Sequence, residues 1–404
     1  MGRTALPKLL VFLVLVAACG DDGAPVDASL DARGSSEVRF AVCSLGVSPE
    51  GGVGLINGAS SLDDVVSARE AVELGGRSPT CASAFGAAFG ATSESNVVRR
   101  YEPDERGRLI PVDAVSFGGE GISSITSTRS QGFFFIDEGR ALYIDRTSAT
   151  IVVWNPTEMT VTRSFRIEGV DGPGLSIRRV SESQDGVLLL YARYVDDGIA
   201  LRRSELVRLN LDDLTYTVAT DTRCGGLISD VRGSDGSVYL ASGAFVSTYS
   251  VLGIGSEDDR GCILRVAPGA SEFDADYFVS MNDLTGMPTG GLFAAGGNSA
   301  LVLALDESEV EPGVGTIGEL VQSVAWRLHR IDDLTAPDGT TRLDNFSLRP
   351  AVDGEGIEIG SRRFLLRIDP TLAGSTLVDV TDLDNPVDAL RLEGAVMLAV
   401  TPLR

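Results

Sequence analysis

Leu206-Val-Arg-Leu-Asn-Leu-Asp-Asp-Leu-Thr215 and Trp326-Arg-Leu-His-Arg-Ile-Asp-Asp-Leu-Thr335 repeat one unit: an alternating strand that runs into an Asp-Asp-Leu-Thr turn. Alternation with period two puts successive side chains on opposite faces of a sheet, and Asp and Thr supply the side-chain hydrogen bonds that close a turn. Related strand-then-turn units are Val153-Trp-Asn-Pro-Thr-Glu-Met-Thr160, Leu366-Arg-Ile-Asp-Pro-Thr-Leu372 and Arg100-Tyr-Glu-Pro-Asp-Glu-Arg-Gly107. Taking Val98, Val152, Val207, Ile263, Trp326 and Phe364 as equivalent positions gives spacings of 54, 55, 56, 63 and 38 residues. A propeller blade repeats every ~40–50 residues, and insertions lengthen some blades. The chain therefore reads as all-β, a β-propeller of seven blades, with six as the alternative count and a pair of β-sandwiches as the rival architecture.

Closure has a physical reason. A four-stranded blade has two apolar faces, and a ring of blades leaves none uncovered. Val38-Arg-Phe-Ala-Val42 and Ala395-Val-Met-Leu-Ala-Val400 can complete one blade from the two ends of the chain. Two segments, Leu62–Leu74 and Ile317–Leu328, have helical character. In the second, Val324, Trp326 and Leu328 alternate with Ala325, Arg327 and His329, so its latter half is expected to be strand.

Residues 9–18 are apolar without a break and end at Cys19, so Val16-Ala17-Ala18-Cys19 reads as a lipobox. Arg3 and Lys8 precede the run, which is shorter than the ~20 residues of a spanning helix. Residues 1–18 are expected to be a lipoprotein signal peptide, Cys19 the lipidated residue, 19–36 a polar tether and 37–404 the propeller domain. The chain is then held at the cell envelope, on the periplasmic or surface face of an outer membrane, through acyl chains on Cys19. Four cysteines remain, an even number suited to an oxidising compartment. Three pairings are possible; Cys43–Cys81 and Cys224–Cys262 are favoured because each pair lies within one neighbourhood of the chain and both spacings are 38.

The formal charge is −23, more negative still without Arg3 and Lys8, which speaks against nucleic acid as a partner. Lys8 is the only lysine, so the rest of the chain offers no Schiff-base or P-loop lysine. His329 is the only histidine, which removes Ser-His-Asp triads and His-rich metal sites. Gly313-Val-Gly-Thr-Ile-Gly318 matches a dinucleotide-binding pattern but follows an acidic, Pro-containing segment, so it reads as an inter-strand loop. Acidic clusters at Asp196-Asp197, Glu257-Asp-Asp259 and Asp379–Asp384 suit solvated loops or a weak Ca²⁺ site, and no other cofactor is indicated.

Arginine placement is more informative. Residues 140–180 hold Arg140, Arg146, Arg163, Arg166, Arg178 and Arg179 against four acids, a local excess of positive charge in an acidic chain. With Tyr143 and Tyr191 nearby, Arg140, Arg146, Arg178 and Arg179 form a candidate patch for an anionic aromatic ligand, through charge and stacking.

The segment Phe133-Phe-Phe-Ile-Asp-Glu-Gly-Arg-Ala-Leu-Tyr-Ile-Asp-Arg-Thr-Ser-Ala-Thr-Ile-Val-Val-Trp-Asn-Pro-Thr-Glu-Met-Thr-Val161 resembles the propeller lipoproteins encoded beside TonB-dependent siderophore receptors. That group includes myxobacterial myxochelin iron-transport lipoproteins and counterparts in gut Bacteroidetes. The likeness is strongest over 130–165, and the plan of lipobox, tether and repeated strands extends it loosely to the whole chain. It implies a non-catalytic protein that captures a ferric siderophore and passes it to a TonB-dependent receptor. Two other functions fit the residues: a carboxylate-dependent hydrolase or lyase on the same scaffold, and a protein-binding envelope scaffold.

Overall fold

The computed structural model describes residues 38–48, 51–125, 132–180, 185–254, 260–347, 349–351, 356–369 and 371–403. The signal segment 1–18, Cys19, the tether 19–36 and the acidic run 257–259 lie outside the described residues. Seven sheets, each built on four antiparallel strands, follow one another around a ring. From the channel outward, blade 2 is Pro79–Ala84, Ala87–Thr92, Val97–Pro103 and Leu109–Ser116. Blade 3 is Phe133–Asp137, Arg140–Ile144, Thr150–Asn155 and Thr160–Arg166. Blade 4 is Ser176–Arg179, Val187–Asp196, Ile199–Asn210 and Tyr216–Asp221. Blade 5 is Leu227–Arg232, Val238–Ser242, Cys262–Val266 and Phe278–Ser280. Blade 6 is Thr289–Gly296, Ser299–Leu305, Trp326–Ile331 and Thr341–Arg342. Blade 7 is Gly356–Ile359, Arg362–Ile368, Gly374–Asp379 and Val387–Glu393.

Blade 1 closes the ring. Its innermost strand is Val396–Pro402 from the C-terminal end, paired with Phe40–Ser48, then Gly51–Ala59 and Val72–Glu73. The Phe40↔Pro402 register places both ends of the described chain on one face of the ring, here called the terminal face. The opposite face carries the connections between second and third strands, including the helices α1 (Ala244–Leu252) and α3 (Ile317–Gln322), with α2 (Met281–Thr285) between blades 5 and 6. This is the helical face.

Each seam between blades has its own apolar core. Phe89, Trp154, Phe133 and Tyr143 fill the seam of blades 2 and 3, and Leu190, Val207 and Ile151 that of blades 3 and 4. The repeated turns explain the blade period. Asp213 Oδ1 accepts from the Thr215 N–H at 2.9 Å and hydroxyl at 2.7 Å, and Asp333 Oδ1 does the same for Thr335 at the same distances. The turn folds Leu214 and Leu334 back into the seams.

Two sequence assignments change. Phe364 lies on the second strand of blade 7, whereas the other five marker residues lie on third strands, which explains the short spacing of 38. Leu62–Leu74 forms no long helix: Val65–Ser67 leaves blade 1 to pair in parallel with Val387–Glu393 of blade 7, and only Ala68–Glu70 makes a 3₁₀ turn. β-branched Val65 and Val66 favour the extended state, and the neighbouring edge strand satisfies their backbone groups. Asp63 pairs with Arg362 of blade 7 at 3.0 Å, so this detour latches the closing seam a second time. Ile317–Gln322 is helix and Trp326–Ile331 strand, as the change of period at Val324 indicates.

The disulfides are Cys43–Cys81, joining blade 1 to the first strand of blade 2, and Cys224–Cys262 at blade 5, with Cα atoms 6.2 and 5.9 Å apart. Gly313–Gly318 lies in the blade 6 insertion, where Thr316 and Glu319 form a capping box that starts α3. No described helix is long and apolar enough to cross a membrane.

Candidate functional site

Alternation along two adjacent strands brings the arginines together. Ser176 and Arg178 on the innermost strand of blade 4 lie directly opposite Arg193 and Tyr191 on the second strand. Paired positions share a face, so all four side chains point into the seam with blade 5. Arg178 is 9% exposed and donates from Nη1 to the Ile228 carbonyl of blade 5 at 3.0 Å. Arg193 lies over the Phe245 ring at 4.8 Å, and Phe245 is in the first turn of α1. Arg146 arrives from blade 3 and donates from Nε to Ser176 Oγ at 2.7 Å.

The turn that presents Arg146 is fixed from below. Asp145, nearly buried, accepts from the N–H and hydroxyl of Ser148, both at 2.8 Å, and from the N–H and hydroxyl of Thr147 at 3.1 and 3.0 Å. The Tyr143 hydroxyl donates to its other oxygen at 3.2 Å.

Electrostatics mark the cluster. Burial first, then the charges of Arg178 and Arg146, push the Arg193 guanidinium down to about 9; Tyr191 and Tyr249 oppose the shift. Burial lowers Arg179 as well, with Asp230 and Tyr191 acting against it. Like charges crowded out of water favour an anion brought among them.

A cavity of about 190 Å³ adjoins the cluster at the helical end of the channel, lined by Ile228, Ser229, Asp230, Phe245, Leu292 and Phe293 among others. Arg178 and Arg193 do not line it, but each touches a residue that does. Close backbone approach makes the wall: a Cβ on Gly290 would stand 2.4 Å from Ala244 N, so glycine there lets α1 rest against the innermost strand of blade 6. Towards the terminal face, a second cavity of about 270 Å³ is lined by Asp230, Arg232, Ser234 and Glu358.

Of the residues singled out from sequence, Arg178 and Tyr191 face the seam of blades 4 and 5, Arg146 reaches Ser176 of blade 4 from blade 3, and Arg179, next to Arg178 on its strand, lies over Phe134 of blade 3. Tyr191 is fully buried, with its hydroxyl 3.4 Å from Asp230 Oδ1, and Arg179 lies over Phe134 at 5.9 Å. Arg140 is elsewhere, at the terminal face, 3.7 Å from Asp137 and 3.5 Å from the Asp212 carbonyl. Tyr143 is buried in the seam of blades 2 and 3, stacked on Phe117 at 5.2 Å, so it supports the Arg146 turn from behind. Sequence reasoning missed Arg193 and Phe245. Arg193 was legible as the residue two after Tyr191 on a strand, hence on the same face. Phe245 was not, because it comes from an insertion in another blade.

No protein-family model matches the chain, and no curated protein does. Among solved structures, a protein of Lactobacillus plantarum is similar with TM-score 0.51 at 10% identity, over 91% of this chain and 99% of that one. A candidate 6-phosphogluconolactonase of Bacteroides uniformis gives TM-score 0.50 at 10% identity over 91% and 99%. The β-propeller domain of Cps50 (Swd1) from Myceliophteria thermophila aligns at 8% identity and TM-score 0.40, over 80% of this chain and 84% of that one. At these identities the likeness concerns the fold.

Proposed function

We propose that this propeller is a non-catalytic, lipid-anchored envelope protein that binds an anionic ligand at the helical mouth of its channel. The observation that carries the reading is the convergence of Arg146, Arg178 and Arg193 from two blades beside a cavity, in a chain of net charge −23. An acidic surface repels anions in general, so a desolvated cationic cluster makes the mouth a favourable place for one. Following the resemblance, the ligand is a ferric siderophore and the recipient a TonB-dependent receptor. Topology supports such a role: the described chain enters on the terminal face, so an anchor at Cys19 leaves the arginine mouth on the side away from the point of attachment.

Titration of the full-length protein with a ferric tris-catecholate, followed by ligand absorbance and calorimetry, tests the reading. Saturable binding that weakens with ionic strength and is lost in Arg146→Gln/Arg178→Gln supports it; no binding to any member of a siderophore panel refutes it. Retention of the Cys19→Ala protein in the membrane fraction would refute the anchor.

A second reading has one observation behind it. Asp230 and Glu358 line the same cavity at the terminal end of the channel, and paired carboxylates are the apparatus of glycoside hydrolysis. Turnover of an envelope glycan that disappears in both Asp230→Asn and Glu358→Gln would favour this reading over the first.

A further inference from the structure

The cavity at the helical end of the channel has a mostly apolar wall. Ile228, Phe245, Leu292, Phe293, Leu303 and Val321 line it, contributed by blade 5, α1, blade 6 and α3. Its volume is about 190 Å³, and an apolar cavity of ~150 Å³ stays dry and holds benzene. The space therefore matches one six-membered ring with a short substituent. Both phenyl groups of the wall are held in place by the protein itself. The Phe245 ring has Arg193 over it at 4.8 Å and Tyr249 edge-on at 6.3 Å. The Phe293 ring has room because residue 291 is glycine: a Cβ there would stand 3.0 Å from its Cζ, and the local φ of +76° favours glycine as well.

Charge narrows the occupant. Among the described residues of the wall, Asp230 is the one that carries charge, and it accepts from the Tyr191 hydroxyl of blade 4 at 3.4 Å. An anion that enters therefore leaves water for an apolar slot beside a carboxylate, with no cation in the wall to receive it. Ser229 offers it little, since its Oγ accepts from the Leu292 N–H at 2.9 Å and lies 3.5 Å from the Ala241 carbonyl. A cation fares no better. Arg178 donates to the Ile228 carbonyl at 3.0 Å, Arg193 stacks on Phe245, and Arg179 stands in the field of Asp230, so three guanidinium groups lie close behind the wall. A neutral ring meets neither cost, and an aromatic one gains offset or edge contacts with Phe245 and Phe293 beyond the area it buries.

We propose that this cavity is a site for a neutral monocyclic arene, and that Asp230 sets its charge selectivity by keeping anions out. The ring lies against Phe245 and Phe293. The inference goes beyond the anion reading: that reading places its ligand at the arginines, whereas this site is the apolar cavity next to them. A saturated ring of the same size enters but forfeits the aromatic contacts. Ring compounds that carry a full charge of either sign are rejected, the anion by Asp230 and the cation by the guanidinium groups behind the wall.

Titration of the full-length protein with benzyl alcohol, benzylammonium, benzoate and cyclohexylmethanol, followed by calorimetry and ligand-observed NMR, provides the test, because the first three share one carbon skeleton and differ in charge. Benzyl alcohol is expected to bind about tenfold more tightly than either ion and about threefold more tightly than cyclohexylmethanol, with no loss as ionic strength rises. In Asp230→Asn the ratio of benzoate to benzyl alcohol affinity rises about tenfold. Phe293→Leu removes the preference over cyclohexylmethanol, and Val321→Phe, which fills the cavity from α3, weakens benzyl alcohol about tenfold; urea midpoints show that both variants fold. No saturable binding of benzyl alcohol to the wild type, equal binding of cyclohexylmethanol, an unaltered ratio in Asp230→Asn, or undiminished binding in folded Val321→Phe overturns the inference. Benzoate that binds more tightly than benzyl alcohol and weakens with salt supports the anion reading and overturns this one. Benzyl alcohol binding by a protein that takes no siderophore leaves this inference standing and refutes the siderophore reading.

Discussion

Replacing Arg193 by methionine should make the empty protein more stable. Arg193 is desolvated by burial and crowded by Arg178 and Arg146, which holds its guanidinium well below the usual arginine range, at about 9. That displacement corresponds to a cost of the charged form on the order of 4–5 kcal/mol. Partial solvent access screens some of it. Methionine keeps the buried aliphatic stem but forfeits the stacking on Phe245, worth about 1 kcal/mol. A net gain of about 2 kcal/mol remains, comparable to that found when buried charges give way to apolar residues. At roughly 2 °C per kcal/mol for a large domain, the midpoint should rise by about 4 °C. The sign with pH follows from linkage: the folded value lies below the unfolded one, so the unfolded state holds more protons between them. The penalty is complete below pH 9 and is relieved as pH rises through the folded value, so the advantage of Arg193→Met should shrink in alkaline buffer. Urea unfolding at pH 7 and pH 10, in chloride and with added sulfate, measures this. Sulfate should stabilise the wild type more than the variant. A variant less stable than wild type by 1 kcal/mol or more in chloride would refute the account of Arg193 as an uncompensated charge.

Removing Cys224 and Cys262 together should cost about 4 kcal/mol in the chain-entropy model, since the bridge closes a separation of 38 residues; a denaturant midpoint unchanged under oxidising conditions argues against it. Gly290→Ala should lower the melting temperature and reduce ligand affinity together, because its Cβ would meet Ala244 of α1 at 2.4 Å; crystallography of the variant would show whether α1 moves off the innermost strand. Asp274, held below the usual carboxylate range first by Arg265, contributes stability that is present above its unfolded value and lost as pH falls through the lower folded one. Asp274→Asn should therefore flatten the acid limb of a stability curve measured between neutral pH and pH 2, and an unaltered limb counts against that role.

Much of the architecture was legible because propeller blades are built locally. The strand-turn unit at Leu206–Thr215 carries its own alternation and its own Asp–Thr hydrogen bonds, so its recurrence shows in the chain without tertiary knowledge. Both cysteine pairs could be anticipated because each joins segments close in the chain: Cys43–Cys81 links blade 1 to the first strand of blade 2, and Cys224–Cys262 links the loop before blade 5 to that blade's third strand. The segment Leu62–Leu74 misled because its apolar spacing suits a helix, while the edge strand of blade 7, more than 300 residues away, decides that Val65–Ser67 is extended.

By itself, then, the sequence determined the blade period, the closure from both ends and the excess of arginine in residues 140–180, since each is written in neighbouring residues. Only the tertiary structure decided which arginines act together. Arg140 and Arg146 are six positions apart yet end on opposite faces of the ring, because one strand of blade 3 separates them. Arg146, Arg178, Arg193 and Phe245 come from three successive blades and meet because those blades pack face to face, a geometry set between sheets and not within any one strand.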